Sequence, residues 1–438
     1  MAGDTHDGYM FDRPAETMPR GDLQTLQLEK LKLMVAHAYA NVDHYKAAWD
    51  SAGIKPGDLE HMEDFQRFPF TVKDDLRDAY PFNMFAVPRE QITRIHASSG
   101  TTGKPTVVGY TAGDLDTWTD VMARTIACGG GRPGDLMHNA YGYSLFTGAF
   151  GYHYGAERLG CTVIPVSGGM SERQITLLRD FGPSLLGATP SYALSLIETA
   201  KKMDVDLASL PIKHAFFGAE PWTDEMRAVL DASWGMTSID TYGLSEIIGP
   251  GVAAECLEAR DGLHGWEDLF LFEIINPDTG DVLPMGGTGE LVITTLSKWA
   301  QPMIRYRTRD ITQLTDEPCT CGRTHLRILR LAGRSDDMLI IRGVNLFPSQ
   351  IESVLVGMDG IAPHYQLVVQ RDGAMDTLSV EAEALEGVEP HDYDGLAAGV
   401  SKRIKETIGV SARTIVLAPG EVPRSEGKAV RVRDLRPK

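Results

Sequence analysis

Short apolar runs alternate with amphipathic stretches through the middle of this 438-residue chain. Runs at 161–165, 184–188 and 214–218 have the length and the small flanking residues of buried strands. Apolar residues at helical spacing predict helices over 23–52, 114–128, 171–181 and 192–203. Strands that alternate with helices in this way predict an α/β domain with a largely parallel sheet.

The pattern changes near residue 269. Two segments rich in turn-forming residues, 276–280 and 285–289, separate β-rich runs and predict an antiparallel, β-barrel-like subdomain. Beyond Gly333, predicted strands alternate with helices in a compact α+β unit of about 100 residues. We therefore expect an α/β fold with a large domain over 1–333, its sheets flanked by helices, and a small mobile domain over 334–438.

Charge excludes one class of partner. The chain has 42 basic and 60 acidic residues and a formal net charge of −18, which opposes general binding to nucleic acid. Any polyanionic ligand has to be held by local groups against that field. No apolar run is long enough to cross a bilayer, and the first residues lack the pattern of a signal peptide. We expect a cytoplasmic protein with no membrane partner.

One loop concentrates small residues, hydroxyl groups and a lysine. It reads Ser98, Ser99, Gly100, Thr101, Thr102, Gly103, Lys104, Pro105 and Thr106. Such a loop can surround a phosphate chain with backbone N–H groups and one positive charge. Its spacing does not fit a Walker A loop, and on its own it is equally compatible with a solvated hairpin loop.

Four further motifs change this interpretation. In chain order they are Tyr242-Gly243-Leu244-Ser245-Glu246, residues 305–310 (RYRTRD), residues 333–338 (GRSDDM) and residues 423–428 (PRSEGK). This ordered set resembles the signature motifs of the adenylate-forming superfamily. Residues 96–106, 218–222 and 340–350 narrow the resemblance to the phenylacetate–CoA ligase branch. Two departures from the general superfamily pattern fit that branch: lysine directly follows the last loop glycine, and Arg309 replaces the glycine before the aspartate.

The resemblance implies an acid–thiol ligase reaction in two halves. A carboxylate attacks the α-phosphate of ATP to give acyl-AMP and pyrophosphate, and the thiolate of coenzyme A then displaces AMP. The loop from Ser98 to Lys104 would hold the β- and γ-phosphates. Glu246 would bind Mg²⁺, and Ser245 would donate to the α-phosphate or the carboxylate. Alternatively, Glu246 is a solvated carboxylate at a helix start.

The resemblance also places the nucleoside. The adenine slot would be formed by Gly218, Ala219, Glu220 and Pro221, with Tyr242 and Gly243 nearby. Asp310 would accept hydrogen bonds from the ribose hydroxyls, and Arg334 would reach the ribose or a phosphate. Alternatively, Asp310 is an exposed turn residue that pairs with a neighbouring arginine.

Lys428 is the predicted catalytic lysine of adenylation. Its ammonium group can bridge the carboxylate and the α-phosphate as charge shifts between them. The alternative is a solvated basic tail. Asp336 matches the superfamily's hinge, about which the small domain turns to bring Arg342 and Gly343 to the thioester site.

Cysteine and histidine spacing predicts a metal site apart from this chemistry. Cys319, Cys321 and His325 form a C-x-C-x₃-H cluster, and Cys256 and His264 flank a short polar loop upstream. We expect Cys256, His264, Cys319 and Cys321 to bind a structural Zn²⁺, with His325 as the substitute ligand. The alternative is a set of buried, idle cysteines.

The segment 139–151 lies where this family builds its acid pocket. It is aromatic and small-residue-rich, which suits an apolar acyl group, and the pocket candidates are Tyr141, Tyr143, Phe146 and Ala149. Ser144 and Ala149 replace what resemble glycines of phenylacetate ligases, which favours a shorter acid such as a benzoate or anthranilate.

Three functions remain distinguishable. The leading one is an AMP-forming aryl-acid–CoA ligase acting on phenylacetate or a benzoate. The second is an adenylation enzyme that loads a carrier protein, which would share every nucleotide motif. The third, a zinc-dependent nucleic-acid-binding protein, conflicts with the charge of −18. The resemblance also implies a homodimer.

Overall fold

The structure is a computed structural model that describes residues 8–98, 105–335, 337–341, 344–372, 375–424 and 429–436. Eleven α-helices are assigned in this part of the chain: α1 Arg13–Glu16, α2 Arg20–Asn41, α3 Asp43–Ser51, α4 Lys73–Asp78, α5 Ala112–Cys128, α6 Gly148–Leu159, α7 Ser171–Phe181, α8 Pro190–Lys202, α9 Asp224–Trp234, α10 Pro348–Leu355 and α11 Tyr393–Ile408. Short 3₁₀ helices span Pro56–Asp58, Met62–Arg67, Arg89–Gln91, Leu207–Ser209 and Pro390–Asp392.

The strands of the large domain are β1 Arg94–Ala97, β2 Val107–Tyr110, β3 Leu136–Asn139, β4 Thr162–Ile164, β5 Leu185–Ala188, β6 His214–Phe217, β7 Thr237–Leu244, β8 Gly249–Glu255, β9 Leu263–Gly265, β10 Phe270–Ile275, β11 Gly289–Thr295, β12 Tyr306–Thr312, β13 Leu314–Thr315, β14 Arg327–Ile328 and β15 Gly333–Arg334. Those that follow are β16 Leu339–Ile341, β17 Val344–Leu346, β18 Ile361–Asp372, β19 Met375–Ala384, β20 Arg413–Leu417 and β21 Val432–Asp434.

A nine-stranded sheet forms the centre of the large domain. Its strand order is β13-β14-β9-β8-β7-β6-β5-β3-β4. The pairs from β4 to β7 are parallel, whereas β7, β8, β9, β14 and β13 pair antiparallel. The predicted parallel α/β core is therefore confirmed. Because parallel strands share one carboxyl edge, the loops after β3, β5, β6 and β7 are brought to the same side of the sheet.

The predicted helix over 23–52 is two helices. Val42 separates α2 from α3 with an extended backbone (φ −123°, ψ 111°). Its side chain is buried, so the apolar periodicity runs through the break without revealing it. By contrast, α7 has the predicted bounds, and α8 begins two residues early because Thr189 caps it and Pro190 occupies its first position.

The antiparallel region forms a separate four-stranded sheet in the order β10-β11-β12-β15. The last of these strands, β15, spans the predicted domain boundary. Arg334 pairs in register with Asp310 of β12. The chain therefore leaves the large domain from a strand that still belongs to its sheet.

The following residues build the small unit. A four-stranded sheet, β20-β19-β18-β21, packs with α10 and α11 around its own apolar core, which includes Leu367, Val380 and Ile404. The α+β character expected for this part of the chain is present. Among the described residues, no helix combines the length and apolar character needed to cross a membrane.

Arg305 joins the antiparallel sheet to the N-terminal helical region. Its guanidinium group, 2% exposed, donates two hydrogen bonds to the carboxylate of Glu273 at 2.9 and 3.1 Å. It also donates to the carbonyl oxygens of Gln66 and Phe68 at 2.7 and 2.8 Å and stacks on the ring of Phe70. Arg305 immediately precedes β12, so this contact fixes the start of the strand that carries Asp310.

We expect Arg305→Met to lower the free energy of unfolding by about 3–5 kcal/mol, because it leaves the carboxylate of Glu273 buried without its partner. Arg158→Met is the matched control, since Arg158 pairs with Asp116 and Asp120 on the surface and its loss should cost less than about 1 kcal/mol. Urea unfolding followed by tryptophan fluorescence measures both. Equal losses would contradict a structural role for the buried pair.

Candidate active site

The carboxyl edge of the parallel strands carries three of the predicted site segments within the described residues. Gly218 follows β6 directly, Tyr242 and Gly243 lie near the carboxyl end of β7, and the acid segment 139–151 begins at the end of β3. Open α/β sheets bind ligands at this edge. The order of the strands, which the motifs alone do not reveal, therefore places the predicted nucleotide and acid regions side by side.

Asp310 lies between two residues that sequence analysis named separately. The hydroxyl of Tyr242 donates to its Oδ2 at 2.5 Å, and Nη1 of Arg334 lies 3.4 Å from its Oδ1. Burial and the neighbouring carboxylate raise the pKa of Tyr242 well above its usual value, so the phenol stays protonated as a donor. Three motifs thus meet at one carboxylate. Asp310 is 4% exposed, which excludes the interpretation as an exposed turn residue.

Arg309, which replaces the glycine before Asp310 in the superfamily pattern, has a backbone conformation that favours glycine. Its backbone φ is +70°, in the left-handed region that favours glycine. The strained backbone is held on both sides: Arg309 N–H donates to Glu290 Oε1 at 3.1 Å, and its carbonyl accepts from Ser335 N–H at 2.7 Å. Arg309 therefore adopts a conformation that favours glycine, at a cost of about 1–2 kcal/mol.

The predicted adenine slot is a constrained turn. A Cβ on Gly218 would lie 2.5 Å from the carbonyl oxygen of Thr241, so only glycine fits there. Ala219 has φ +71° and is exposed at the edge of the sheet. Glu220 accepts a hydrogen bond from the backbone N–H of Ser191 at 2.7 Å, which ties the turn to the start of α8. The turn is thus packed against β7 at Gly218, and only the small side chain of Ala219 is exposed beside the sheet edge.

Ser245 and Glu246 face the acid segment and a lysine. The Oγ of Ser245 lies 3.1 Å from the Oγ1 of Thr147, the residue before α6. Glu246 is buried, and its Oε1 lies 3.4 Å from Nζ of Lys73 on α4. A buried carboxylate next to a cation is not the solvated helix-start residue of the alternative interpretation.

Two lysines at this site were missed from the sequence. Lys73 lies in α4, and Lys298 is buried with its Nζ donating to the carbonyl oxygen of Glu246 at 3.0 Å. The ammonium of Lys298 also lies 4.9 Å from the centre of the Tyr110 ring. Burial lowers the pKa of Lys298 to about 8. The sequence signal for Lys298 was its position in a short stretch of apolar and small residues after β11.

The four acid-pocket candidates lie in different environments. Tyr141 is buried, stacks on Tyr152 and donates to the carbonyl of Phe216 at 3.2 Å, and Ala149 is fully buried in α6. Tyr143 is half-buried, with its hydroxyl 3.0 Å from Nδ1 of His153. Phe146 is 47% exposed. Tyr141 and Ala149 therefore serve packing, while Tyr143 and Phe146 remain accessible.

The predicted metal ligands converge. The donor atoms of Cys256, His264, Cys319 and Cys321 all lie within 4.8 Å of one another. The Sγ atoms of Cys256 and Cys319 are 3.6 Å apart, and Sγ of Cys321 is 3.3 Å from Nε2 of His264. The other ring nitrogen of His264 lies 3.3 Å from the carbonyl oxygen of His325. His325 itself is not part of the four-donor group.

Several predicted site residues lie outside the described part of the chain. They are Ser99, Gly100, Thr101, Thr102, Gly103, Lys104, Asp336, Arg342, Gly343 and Lys428. The described neighbours frame the first group: Ser98 and Thr106 are paired by hydrogen bonds of 2.9 and 3.1 Å between β1 and β2.

Family comparisons agree with this geometry. Residues 28–297 match the AMP-binding enzyme family, and residues 343–436 match the AMP-binding enzyme C-terminal domain. The chain is 54% identical over 430 residues to phenylacetate-coenzyme A ligase from Aromatoleum evansii, with 97% of each chain covered. It is 52% identical over 427 residues to the enzyme of that name from Escherichia coli (strain K12), again with 97% of each covered.

The chain is also similar to solved structures of a related ligase in two different states. A crystal structure of 2-hydroxyisobutyryl-CoA ligase in the postadenylation state with 2-HIB-AMP matches with a TM-score of 0.93 at 31% identity, covering 99% of this chain and 93% of that one. The same ligase in the thioesterification state matches with a TM-score of 0.74 at 32% identity, covering 100% and 94%. Because residues 28–297 match the AMP-binding enzyme family and the chain is 51–54% identical to phenylacetate-coenzyme A ligases over nearly its whole length, it belongs to the phenylacetate–CoA ligase family of adenylate-forming enzymes.

Proposed function

We propose that this protein is an AMP-forming phenylacetate–CoA ligase. The observation that carries the proposal is the meeting of Tyr242, Asp310 and Arg334 at the sheet edge, in a chain 51–54% identical to four phenylacetate–CoA ligases. In the first half-reaction a carboxylate oxygen bonds to the α-phosphorus of ATP while the bond to pyrophosphate breaks. In the second, the sulfur of coenzyme A bonds to the acyl carbon and AMP leaves.

The nucleoside would lie across the three structured motifs. Asp310, held by Tyr242 and Arg334, presents carboxylate oxygens that can accept from both ribose hydroxyls. The small, exposed side chain of Ala219 would let adenine lie against the backbone of the turn after β6. Ser98 to Lys104 would hold the β- and γ-phosphates, and Lys428 would bridge the carboxylate and the α-phosphate.

Glu246 fits the role of a Mg²⁺ ligand. Its carboxylate is a hard oxygen donor, and Lys73 lies close enough to orient it. When bound, Mg²⁺ neutralises charge on the phosphates. Ser245, which shares a hydrogen bond with Thr147, would orient the acid carboxylate toward the α-phosphate.

Phenylacetate is the acid that we propose. Ser144 and Ala149 favoured a shorter acid, but Ala149 is fully buried, so its methyl group fills protein rather than pocket. The accessible rings of Tyr143 and Phe146 suit an apolar, uncharged aryl group. Four relatives at 51–54% identity bear the name phenylacetate-coenzyme A ligase.

The Cys256, His264, Cys319 and Cys321 cluster suits a structural Zn²⁺. Zn–S bonds of about 2.3 Å in a tetrahedron place two sulfurs about 3.8 Å apart, close to the observed 3.6 Å between Cys256 and Cys319. A disulfide would need an S–S distance near 2 Å. The hydrogen bond from Nδ1 of His264 to the carbonyl of His325 would leave Nε2 free to ligate. The site would fasten the ends of β8 and β9 to the loop at 319–325.

Two broader expectations stay predictions. The homodimer implied by the resemblance is testable by size-exclusion chromatography with light scattering. A cytoplasmic location is testable by cell fractionation.

An acid panel tests the proposed reaction. We expect ATP–pyrophosphate exchange and release of aryl-CoA with phenylacetate at a kcat/KM at least tenfold above that for benzoate or anthranilate, because the pocket is not shortened by Ala149. Thioester formed with free coenzyme A is detected by chromatography and mass spectrometry. Exchange without a CoA thioester would favour the carrier-loading enzyme, and faster reaction of anthranilate would contradict the choice of acid.

Asp310→Asn tests the ribose contact. Loss of the charge weakens hydrogen bonds from both ribose hydroxyls and from Tyr242, so we expect the KM for ATP to rise at least tenfold while the KM for phenylacetate changes less than threefold. Initial rates of pyrophosphate exchange measure both constants. An unchanged KM for ATP would contradict the assignment, and Glu172→Gln, which removes an exposed carboxylate on α7, should not reproduce the split.

Metal analysis tests the zinc site. We expect about one zinc per chain in protein purified without added chelator, because four soft donors already converge. Cys321→Ser should lose the metal and lower the Tm by several degrees. His325→Ala, outside the four-donor group, and Cys161→Ser, a buried cysteine elsewhere, should keep the metal. Zinc-free wild-type protein whose Tm equals that of Cys321→Ser would overturn the site.

A further inference from the structure

Polar contacts of the small domain with the large one concentrate on helix α8 and the turn after β6. Glu198 and Ser191 belong to α8, and Glu220 belongs to the turn. Their partners are His364, Arg424, Ala429 and Arg431 of the C-terminal part of the chain. None of these contacts was predicted from the sequence.

The first contact is made by Arg424, whose guanidinium group uses all of its hydrogen-bond donors. Its Nε and Nη2 donate to the two carboxylate oxygens of Glu198 at 2.9 and 2.7 Å. Its Nη1 and Nη2 donate to Glu383 of β19 at 2.8 and 2.6 Å, and Nη1 also donates to the carbonyl of Val422 at 2.7 Å. All five N–H donors of the guanidinium are therefore used, a geometry that a lysine cannot reproduce.

Glu198 has a second partner from the small domain. Nε2 of His364 lies 2.7 Å from its Oε1. Burial opposes ionisation, but the hydrogen bonds from His364 and Arg424 outweigh it and lower the pKa of Glu198 to about 2. The carboxylate is thus charged at neutral pH and bridges two side chains of the other domain.

The second contact is made by Glu220. Its Oε1 accepts from the N–H of Ser191, and its Oε2 accepts from the backbone N–H of Ala429 at 2.7 Å. Arg431, two residues further on, lies 3.4 Å from Oγ of Ser191. The same carboxylate therefore joins the predicted adenine turn, the first turn of α8 and the small domain.

These two carboxylates contact the chain on both sides of the predicted catalytic lysine. Arg424 precedes Lys428 by four residues and Ala429 follows it directly. We propose that Glu198 and Glu220 are positioning residues for adenylation, which hold the two flanks of the lysine-bearing segment against the large domain in the first half-reaction. This proposal rests on the proposed function, in which Lys428 bridges the carboxylate and the α-phosphate in the first half-reaction.

The arrangement of the domains supports this assignment. The chain matches 2-hydroxyisobutyryl-CoA ligase better in the postadenylation state than in the thioesterification state, with TM-scores of 0.93 and 0.74. The contacts of Glu198 and Glu220 therefore belong to the adenylation arrangement. They have to break when the small domain turns, and charge-assisted hydrogen bonds at a partly exposed edge can be exchanged for water.

Half-reaction kinetics test the proposal. We expect Glu198→Gln to slow acyl-AMP formation from ATP and phenylacetate at least tenfold in kcat, with KM for ATP changed less than threefold. The variant should convert supplied phenylacetyl-AMP and coenzyme A to the thioester at no less than half the wild-type rate. Glu220→Gln should show the same split in kcat, and a titration with AMP separates any direct effect on nucleotide binding.

Three references make the outcome decisive. Glu172→Gln, an exposed glutamate on the neighbouring helix α7, should match the wild type in both half-reactions. Lys428→Ala should lose adenylation selectively; equal loss of both half-reactions there would refute the proposed function itself. If Lys428→Ala behaves as expected but Glu198→Gln and Glu220→Gln adenylate at the wild-type rate, the positioning role is wrong. Equal slowing of both half-reactions by Glu198→Gln, with an unchanged circular dichroism spectrum and Tm, would also overturn it.

Discussion

The proposed reaction brings a carboxylate to a triphosphate in a chain whose own net charge is −18, so like-charge repulsion has to be overcome by groups placed at the site. The structure shows how local this compensation is. Lys73 lies beside the carboxylate of Glu246, the ammonium of Lys298 is buried against its backbone, and Arg334 approaches Asp310. Each cation comes from a different element, so the sheet edge has to be assembled before the charges balance.

Pairs of opposite charge also connect separate parts of the molecule. Arg305 and Glu273 form a buried pair where nothing has to move, and the start of β12 is fixed by it. Glu198 and Arg424 form an equally well-oriented pair that is part-exposed, at a joint between domains. Burial makes an ion pair costly to break, whereas access to water allows its partners to be resolvated. The exposure of the second pair thus fits the proposal that this contact breaks between the two half-reactions.

Two of the non-glycine residues with a strained backbone lie at the site. Ala219 and Arg309 both have positive φ angles, and each lies next to a residue assigned to the nucleoside. Arg309 is held in this conformation because its N–H donates to the carboxylate of Glu290 and its carbonyl oxygen accepts from the N–H of Ser335. Such strain persists only where the surroundings over-determine it, and the paired strands β11, β12 and β15 supply that rigidity.

The sequence by itself determined the parallel α/β core, the antiparallel region, the nucleotide motifs and the four metal-ligand candidates, whose convergence only the tertiary structure shows. These rest on local periodicity, on turn chemistry and on short ordered motifs. The break at Val42, the buried lysine at 298, the packing role of Tyr141 and the contacts of Glu198 were decided only by the tertiary structure. Those features depend on which residues meet across the fold; Glu198 and Arg424, for example, are 226 positions apart. No local pattern encodes such a meeting, because it follows from strand order and domain placement.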